Sequence, residues 1–387
     1  MARVASVYLL LFATEVGWLA MVPLAPRFAE ELDLSPVQTG ALLAVAGFAM
    51  LAVALPVGLL ADRLGARRLT LAGGALLVLS HLWQAVADGY VELLAARTVF
   101  GVGMGIVWTA GLALLSAVPA GSRRSMALGG TITSAGAASV VGPVAAGYLG
   151  DEVTLGAPFV VLAALTVVAS ASLAVVPTRL QTSAPESRPL RGSFARGAVE
   201  RYVLAAFLLM IMLGIVNGTI NLLVPLELRS NGLSATEIGL AFSVSSGVFV
   251  AGTVLVSRAA GRGLGLGLAG LAAGVYAVLL GLPVLTTATL ALLVFVVVRG
   301  PFWATLSTLP YPLGAIGADR AGIGHGAVVG MLNVAWGGSN AVGPLLAGAL
   351  AGVGGTGLGF LPAIAICTVA SIWLLGTTAR ERREATA

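Results

Sequence analysis

Long apolar runs, separated by short polar segments, recur from one end of the chain to the other. Each run is roughly 20 residues long, enough to cross about 30 Å of hydrocarbon as an α-helix. Polar and apolar residues do not alternate within the runs, as they do in the strands of a membrane β-barrel. The pattern predicts an all-α membrane protein with twelve transmembrane helices, near residues 4–27, 37–60, 69–87, 91–117, 126–149, 157–177, 202–226, 236–256, 264–284, 289–316, 326–350 and 358–379.

The composition excludes several classes of protein. Hydrophobic residues make up 58% of the 387 residues and charged residues only 10%, whereas about a quarter of a soluble globular protein is charged. The net charge of +5 is spread over short loops, so we expect no nucleic-acid partner. The chain has no Walker sequence, no HExxH and no GxSxG motif. We therefore expect neither an enzyme nor a bound cofactor or metal.

The charged residues of the loops predict the orientation of the chain. Most arginines lie in the segments that share a side with the N-terminus, whereas the opposite loops carry acids such as Asp88 and Asp151. Cytoplasmic loops are enriched in basic residues. We expect a multi-pass protein of a prokaryotic plasma membrane, with both termini in the cytoplasm.

The two halves of the chain resemble each other. The segment 129–149 aligns without gaps on 330–350, and both contain a Gly-Pro pair. The segment 178–201, rich in Pro, Ser and Arg, is predicted to be a cytoplasmic linker between six-helix halves at 1–177 and 202–387. Repeated halves of equal topology imply a pseudo-two-fold axis along the membrane normal, with a site between them. That architecture is typical of a transporter.

The repeated Gly-Pro pairs are candidate gating elements. Gly142 and Pro143 fall on Gly343 and Pro344. Proline removes an intrahelical hydrogen bond, and glycine leaves room for a neighbouring helix. The pairs would permit bending and close contact between the halves; the alternative is mere packing. Their recurrence in both halves favours gating.

Four motifs identify the family that the chain resembles. The loop "GLLADRLGARR" (58–68) resembles the signature loop of the major facilitator superfamily. The segments "VGWLAMVPLAP" (16–26), "LAARTVFGVGMG" (94–105) and "ASVVGPVAAG" (138–147) resemble motifs of its twelve-span drug:proton antiporters. In the second of these, Phe100 stands where the family commonly has glutamine. The resemblance implies the major facilitator fold, with spans 1, 4, 7 and 10 lining a central cavity.

The signature loop is a candidate conformational latch. Its glycines permit a tight turn, and its aspartate can pair with an arginine or cap a helix. The alternative is that its arginines only set the topology, and the two roles are compatible. The residues concerned are Gly58, Asp62, Arg63, Gly65, Arg67 and Arg68.

Glu15 is the one acid deep within a predicted span. A charge at the bilayer centre costs about 2.5–3.5 kcal/mol on insertion scales, so Glu15 should face a cavity or a partner. Burial favours its protonated form, and such a group can accept and release protons. The alternative is a structural pair with Arg97; we favour proton coupling, with Glu15 and Arg97 as the coupling residues. His81 is expected to hydrogen-bond within its own span, with a coupling role as the alternative.

Polar and aromatic residues at helical spacing on the cavity-lining spans, and on span 11, are candidate substrate contacts. A largely apolar cavity with a few orienting polar groups is typical of small-molecule sites. For any single tryptophan, interfacial anchoring or packing is an equal alternative. The candidates are Trp18, Met104, Trp108, Asn217, Asn221, Arg299, Trp303, Asn333, Trp336 and Asn340.

These observations favour a monomeric secondary transporter that works by alternating access and exports lipophilic, drug-like compounds in exchange for protons. Its partners would be a small-molecule substrate, protons and the lipid bilayer. The main alternative is an organic-anion carrier, in which Arg97 and Arg299 hold a carboxylate or phosphate ester. A membrane sensor would need a signalling domain, and the sequence contains no recognisable one.

Overall fold

The computed structural model describes residues 2–116, 122–175, 200–259 and 265–386. Every regular element within those ranges is an α-helix, as the apolar runs predict. In chain order the helices are α1 (Ala2–Leu19), α2 (Met21–Glu31), α3 (Pro36–Leu64), α4 (Ala66–Val86), α5 (Tyr90–Ser116), α6 (Ser122–Glu152), α7 (Ala157–Val175), α8 (Arg201–Ser230), α9 (Ala235–Ala259), α10 (Leu266–Leu280), α11 (Leu282–Leu285), α12 (Thr289–Thr308), α13 (Pro310–Ala321), α14 (His325–Gly354), α15 (Thr356–Gly359) and α16 (Leu361–Thr386).

Most of the predicted spans correspond to helices that can cross a membrane. Among the described residues, ten stretches are long and apolar enough, or eleven when α1 and α2 are counted as one bent span. The remaining predicted span, 326–350, corresponds to α14, a helix of 30 residues. Its length suffices, but its many glycines and two asparagines dilute its apolar character. The all-α membrane fold is confirmed, whereas the count of twelve rests on α14.

The first predicted span is two helices rather than one. Helix α1 ends at Leu19 and α2 begins at Met21, with a bend of 40° between them. Pro23 and Pro26 lie within α2, and proline has no backbone N–H to donate to the preceding turn. The proline motif of span 1 therefore coincides with a break of direction in the helix.

The described chain forms two compact units. The first contains α1 to α7 together with Gly232–Ser243, and the second contains α8, the remainder of α9 and α10 to α16. In the first unit the core includes Leu10, Leu77, Phe100 and Val107, all of them fully buried. The predicted division into six-helix halves remains a prediction, because residues 178–199 of the predicted linker lie outside the described residues.

Glycines allow the helices to approach closely within each unit. On α5, a Cβ atom at Gly101 would overlap the carbonyl oxygen of Ala46, and one at Gly105 would lie 2.8 Å from the carbonyl oxygen of Met50, both on α3. On α8, a Cβ atom at Gly218 would lie 2.9 Å from the carbonyl oxygen of Asn340 on α14. Small residues at helix interfaces are the usual means of packing in membranes.

Candidate functional site

Glu15 faces a tryptophan. It is partly buried on α1, and the indole N–H of Trp108 on α5 is directed at its carboxyl group, outside the geometry of a full hydrogen bond. Among the described residues, no ion pair joins Glu15 to Arg97. The structure thus brings together two predicted site residues, Glu15 and Trp108, whereas direct pairing of Glu15 with Arg97 is wrong.

Arg97 instead lies among carbonyl oxygens and aromatic rings. Only 1% of the residue is exposed. Its Nε donates to the carbonyl oxygen of Leu42 at 3.4 Å, and its Nη1 donates to that of Gly17 at 3.5 Å. The guanidinium carbon lies 4.6 Å from the ring centre of Phe100 and 6.0 Å from that of Trp18. Within the first unit, the guanidinium group of Arg97 is therefore contacted by two long hydrogen bonds and two aromatic rings.

His81 packs beside this arginine without hydrogen-bonding within its own helix. Its ring centre is 5.6 Å from that of Phe100 and 6.4 Å from that of Phe159, and neither ring nitrogen has a hydrogen-bond partner among the residues that the structure describes. The expected hydrogen bond within span 3 is therefore wrong. A Cβ atom at Gly17 would lie 2.7 Å from His81 Cε1, so the glycine of the span-1 motif makes room for the imidazole.

The predicted substrate contacts of the first unit lie in this same region; they are Trp18, Met104 and Trp108. Trp18 and Trp108 pack, partly buried, against a hydrophobic cluster that includes Met104 and Phe100. Met104 is only 5% exposed, so in this structure it contributes to the core of the first unit.

In the second unit, two predicted asparagines meet. The side-chain amide of Asn217 on α8 donates a hydrogen bond of 2.9 Å to the side-chain oxygen of Asn340 on α14. Asn221 lies one turn further along α8 and is buried. Asn333, near the start of α14, instead accepts a hydrogen bond of 2.9 Å from the hydroxyl of Tyr311 in an exposed position.

A series of aromatic rings connects three helices of the second unit. The ring of Trp303 on α12 lies 5.9 Å from that of Tyr276 on α10 and 6.5 Å from that of Trp336 on α14. Arg299, one turn before Trp303, is 7% exposed, and its side chain interacts with that of Tyr276. Each unit therefore contains a buried arginine next to aromatic rings. Arg97 and Arg299 are separated by nearly the same offset as the segments 129–149 and 330–350.

The signature loop joins α3 to α4 in a tight turn. Gly65 has φ +86°, a conformation that favours glycine. Arg67 Nη2 donates to the carbonyl oxygens of Leu173, at 3.1 Å, and Ala174. Arg67 therefore binds the C-terminal end of α7, where carbonyl groups lack intrahelical partners.

The other members of the loop are less constrained. Arg63 and Arg68 are exposed, and Gly58 is partly buried. The side chain of Asp62, the proposed centre of the latch, lies outside the described part of the structure. A latch role for this loop remains a prediction.

The Gly-Pro pairs contact helices of their own unit. A Cβ atom at Gly142 on α6 would meet Val16 of α1 at 3.4 Å, and one at Gly343 on α14 would meet the carbonyl oxygen of Ile215 on α8 at 2.7 Å. Pro344 packs against Gly218 of α8. These contacts account for close packing within the units, and the gating role remains a prediction.

Several residues of these clusters are absent from the sequence-based prediction. Phe100 and Phe159 surround His81, and Tyr276 interacts with Arg299. Phe100 carries a signal in the sequence, because it replaces the glutamine of a recognised motif. Phe159 and Tyr276 carry none, because an aromatic residue in an apolar run is indistinguishable from a lipid-facing one.

The sequence matches the family model of the Major Facilitator Superfamily over residues 7–324. An uncharacterised MFS-type transporter of Mycobacterium tuberculosis is 38% identical over 106 residues, 27% of this chain and 18% of that protein. A synaptic vesicular amine transporter of Mus musculus is 31% identical over 175 residues, 43% of this chain and 33% of that protein. The matches therefore span about a third or less of the length of these relatives.

A solved structure has the same fold over nearly the whole chain. A bacterial homologue of the human lysosomal transporter Spinster aligns with a TM-score of 0.77, covering 96% of this chain and 95% of that one. The sequence identity is 14%, so the likeness concerns the fold alone.

Proposed function

This chain belongs to the major facilitator superfamily, and we propose that it is a proton-coupled exporter of lipophilic compounds that works by alternating access. In this proposal it acts as a monomer in a prokaryotic plasma membrane, with both termini in the cytoplasm. Its ligands are a small lipophilic molecule and protons.

The observation that carries the proposal is the position of Glu15. Its carboxyl group lies midway along the first bent span, partly buried and directed at a tryptophan N–H rather than at a cation. An acid that is neutral when buried and ionised when hydrated can carry a proton from one side of the membrane to the other. None of the described residues forms an ion pair with Glu15, so its charge can change during a cycle without breaking such a pair.

Aromatic rings supply the apolar contacts that a lipophilic substrate needs. In the first unit Trp108 lies at Glu15, and Trp18 packs against the same hydrophobic cluster as Trp108. In the second unit Trp303 and Trp336 lie 6.5 Å apart. A carboxylate close to aromatic rings suits a lipophilic cation. The similarity to a vesicular amine transporter is in keeping with a cationic substrate.

The test is gradient-driven flux of ethidium, a fluorescent lipophilic cation, in proteoliposomes with an imposed pH gradient. Glu15→Gln should lose the gradient-driven flux while retaining ethidium affinity within a few-fold. The matched control is Glu152→Gln, which removes an exposed acid at the end of α6 and should transport like the wild type. Gradient-driven flux that persists in Glu15→Gln would contradict proton coupling through this residue.

A second candidate function, an organic-anion carrier, is favoured by Arg299. This arginine is nearly buried and interacts with the phenol of Tyr276, beside Trp303. Guanidinium and indole together suit an aromatic carboxylate or phosphate ester. A charge-assisted hydrogen bond contributes about 1.5–3 kcal/mol, so Arg299→Gln would weaken anion binding roughly ten- to a hundredfold.

Measuring both gradient-driven ethidium flux and anion binding separates the two candidate functions. Benzoate, naphthoate and phenyl phosphate serve as anionic probes, with Arg380→Gln at an exposed position as the control. Lost anion binding in Arg299→Gln, together with retained proton coupling in Glu15→Gln, would replace the exporter by the anion carrier.

A further inference from the structure

The carboxylate of Asp151, at the end of α6, joins two other helices. Its Oδ1 accepts a hydrogen bond of 2.9 Å from Arg27 Nη1 on α2. Its Oδ2 accepts from Thr236 twice, from the backbone N–H at 2.7 Å and from the hydroxyl at 2.8 Å. Thr236 lies in the first turn of α9, where backbone N–H groups have no intrahelical partner and negative charge is favourable. Asp151 is therefore a cap for α9 that another helix supplies.

Below this cap, the two helices are in close backbone contact. A Cβ atom at Gly147 would overlap the carbonyl oxygen of Ala235, and one at Gly239 would overlap that of Pro143. The backbone N–H of Val144 donates to the hydroxyl of Ser243 at 3.2 Å. The contact residues recur every four positions on both helices, so each presents one face to the other. We name this contact the α6–α9 seam, formed by Pro143, Gly147 and Asp151 with Ala235, Gly239 and Ser243.

The internal repeat preserves the packing residues of the seam. In the alignment of 129–149 on 330–350, Pro143 and Gly147 correspond to Pro344 and Gly348. In the alignment of "LSPVQTG" (34–40) on "LSATEIG" (233–239), Gly239 corresponds to Gly40. The small residues that permit close contact are therefore present in both halves.

The polar cap of the seam occurs in one half only. Continuing the same alignments, Asp151 corresponds to Gly352 and Thr236 to Val37. In the alignment of "VPLAPRF" (22–28) on "VPLELRS" (224–230), Arg27 does have a counterpart, Arg229. Packing alone, which both halves share, does not account for a carboxylate and a hydroxyl that occur together in one of them.

We propose that Asp151 is a releasable latch, whose contact with Thr236 sets the fraction of time for which the first turns of α9 remain joined to α6. The inference rests on the alternating-access function proposed above, because such a transporter must separate and rejoin helices in each cycle. The Asp151 side chain is 15% exposed, so water can replace its hydrogen bonds when the seam opens. A fully buried carboxylate would offer no such release.

The test measures the separation of α6 and α9 directly. Tyr148 on α6 and Leu240 on α9 are more than half exposed, and each is replaced by a spin-labelled cysteine in a Cys367→Ala background. Pulsed electron spin resonance of the protein in lipid nanodiscs then gives the populations with the seam closed and open. Asp151→Asn and Thr236→Val should each raise the ratio of open to closed roughly tenfold, as expected for weakening charge-assisted hydrogen bonds at a partly exposed site.

Matched variants keep the test decisive. Thr236→Ser retains the hydroxyl and Glu152→Gln retains the latch, so both should give the wild-type distribution. The double variant Asp151→Asn/Thr236→Val should open the seam no more than the stronger single variant, because both break one contact. If Asp151→Asn fails to fold, the comparison of Thr236→Val with Thr236→Ser still tests whether the Asp151–Thr236 contact keeps the seam closed.

Two outcomes would overturn the latch: distance distributions identical to the wild type in Asp151→Asn and Thr236→Val, or fully additive effects in the double variant. The measurement needs neither substrate nor a pH gradient. If the flux of Glu15→Gln contradicted proton coupling, the distance measurement would still test the latch. If the distances did not respond to the seam variants, the proposal of proton coupling through Glu15 would still stand.

Discussion

The side-chain amide of Asn217 donates a 2.9 Å hydrogen bond to the side-chain oxygen of Asn340, joining α8 to α14 within the second unit. The two residues lie 123 positions apart in the chain. Around this bond, Gly214 and Gly218 on α8 bring the backbones of the two helices close together. A polar pair in such a tightly packed interface fixes the rotation of both helices.

The first prediction concerns the energy of this pair. Asn217→Ala and Asn340→Ala should each destabilise the protein, and the double variant should cost less than the sum. The coupling should be about 0.6 kcal/mol and not above about 1.7 kcal/mol, the range measured for hydrogen bonds between membrane helices. A double-mutant cycle of unfolding free energies in lipid bicelles measures it, and purely additive effects would contradict the contact.

The second prediction concerns the glycine contact between α5 and α3. Gly101→Ala should destabilise the protein by about 1–3 kcal/mol, because the added methyl overlaps the backbone of Ala46, which cannot rotate away. Gly247→Ala on α9 meets nothing within 4 Å and should change stability by less than about 1 kcal/mol. Thermal unfolding of the two variants in the same detergent makes the comparison. Equal melting temperatures would mean that α5 and α3 are not in backbone contact.

The third prediction separates two neighbouring arginines of the signature loop. Arg67→Gln should destabilise the protein by about 1.5 kcal/mol, through loss of charge-assisted hydrogen bonds to Leu173 and Ala174. Arg68→Gln, at an exposed position, should leave stability unchanged. The measurement is the unfolding free energy of each variant. Equal losses in both would indicate that the loop acts through its net charge.

The fourth prediction concerns orientation, which the loop charges predict. In a Cys367→Ala background, a cysteine at Glu31 should react with a membrane-impermeant thiol reagent applied to intact cells. One at Arg68 should react only after the membrane is opened. Both positions are exposed in the structure, so a lack of reaction would not arise from burial. The reverse pattern of labelling would invert the topology.

The amino-acid sequence by itself determined the class of fold. Runs of about 20 apolar residues have one stable form in hydrocarbon, because a membrane helix satisfies its backbone hydrogen bonds internally. The glycines of the Gly-Pro pairs were also predicted to leave room for a neighbouring helix, and Gly343 does so for α8. Both predictions follow from local chemistry, which depends only on the amino-acid sequence of the segment itself.

Tertiary structure decided which side chains meet. A structural pair of Glu15 with Arg97 was the alternative to proton coupling, because both are ionisable residues in spans. Instead, Glu15 is directed at Trp108, and Arg97 at Leu42, Gly17 and aromatic rings. A soluble helix reveals its inward face through a stripe of apolar residues. A membrane helix is apolar towards both lipid and core, so its rotation leaves little trace in the sequence. That rotation, and with it the partner of each buried polar group, is set by how the helices pack against one another.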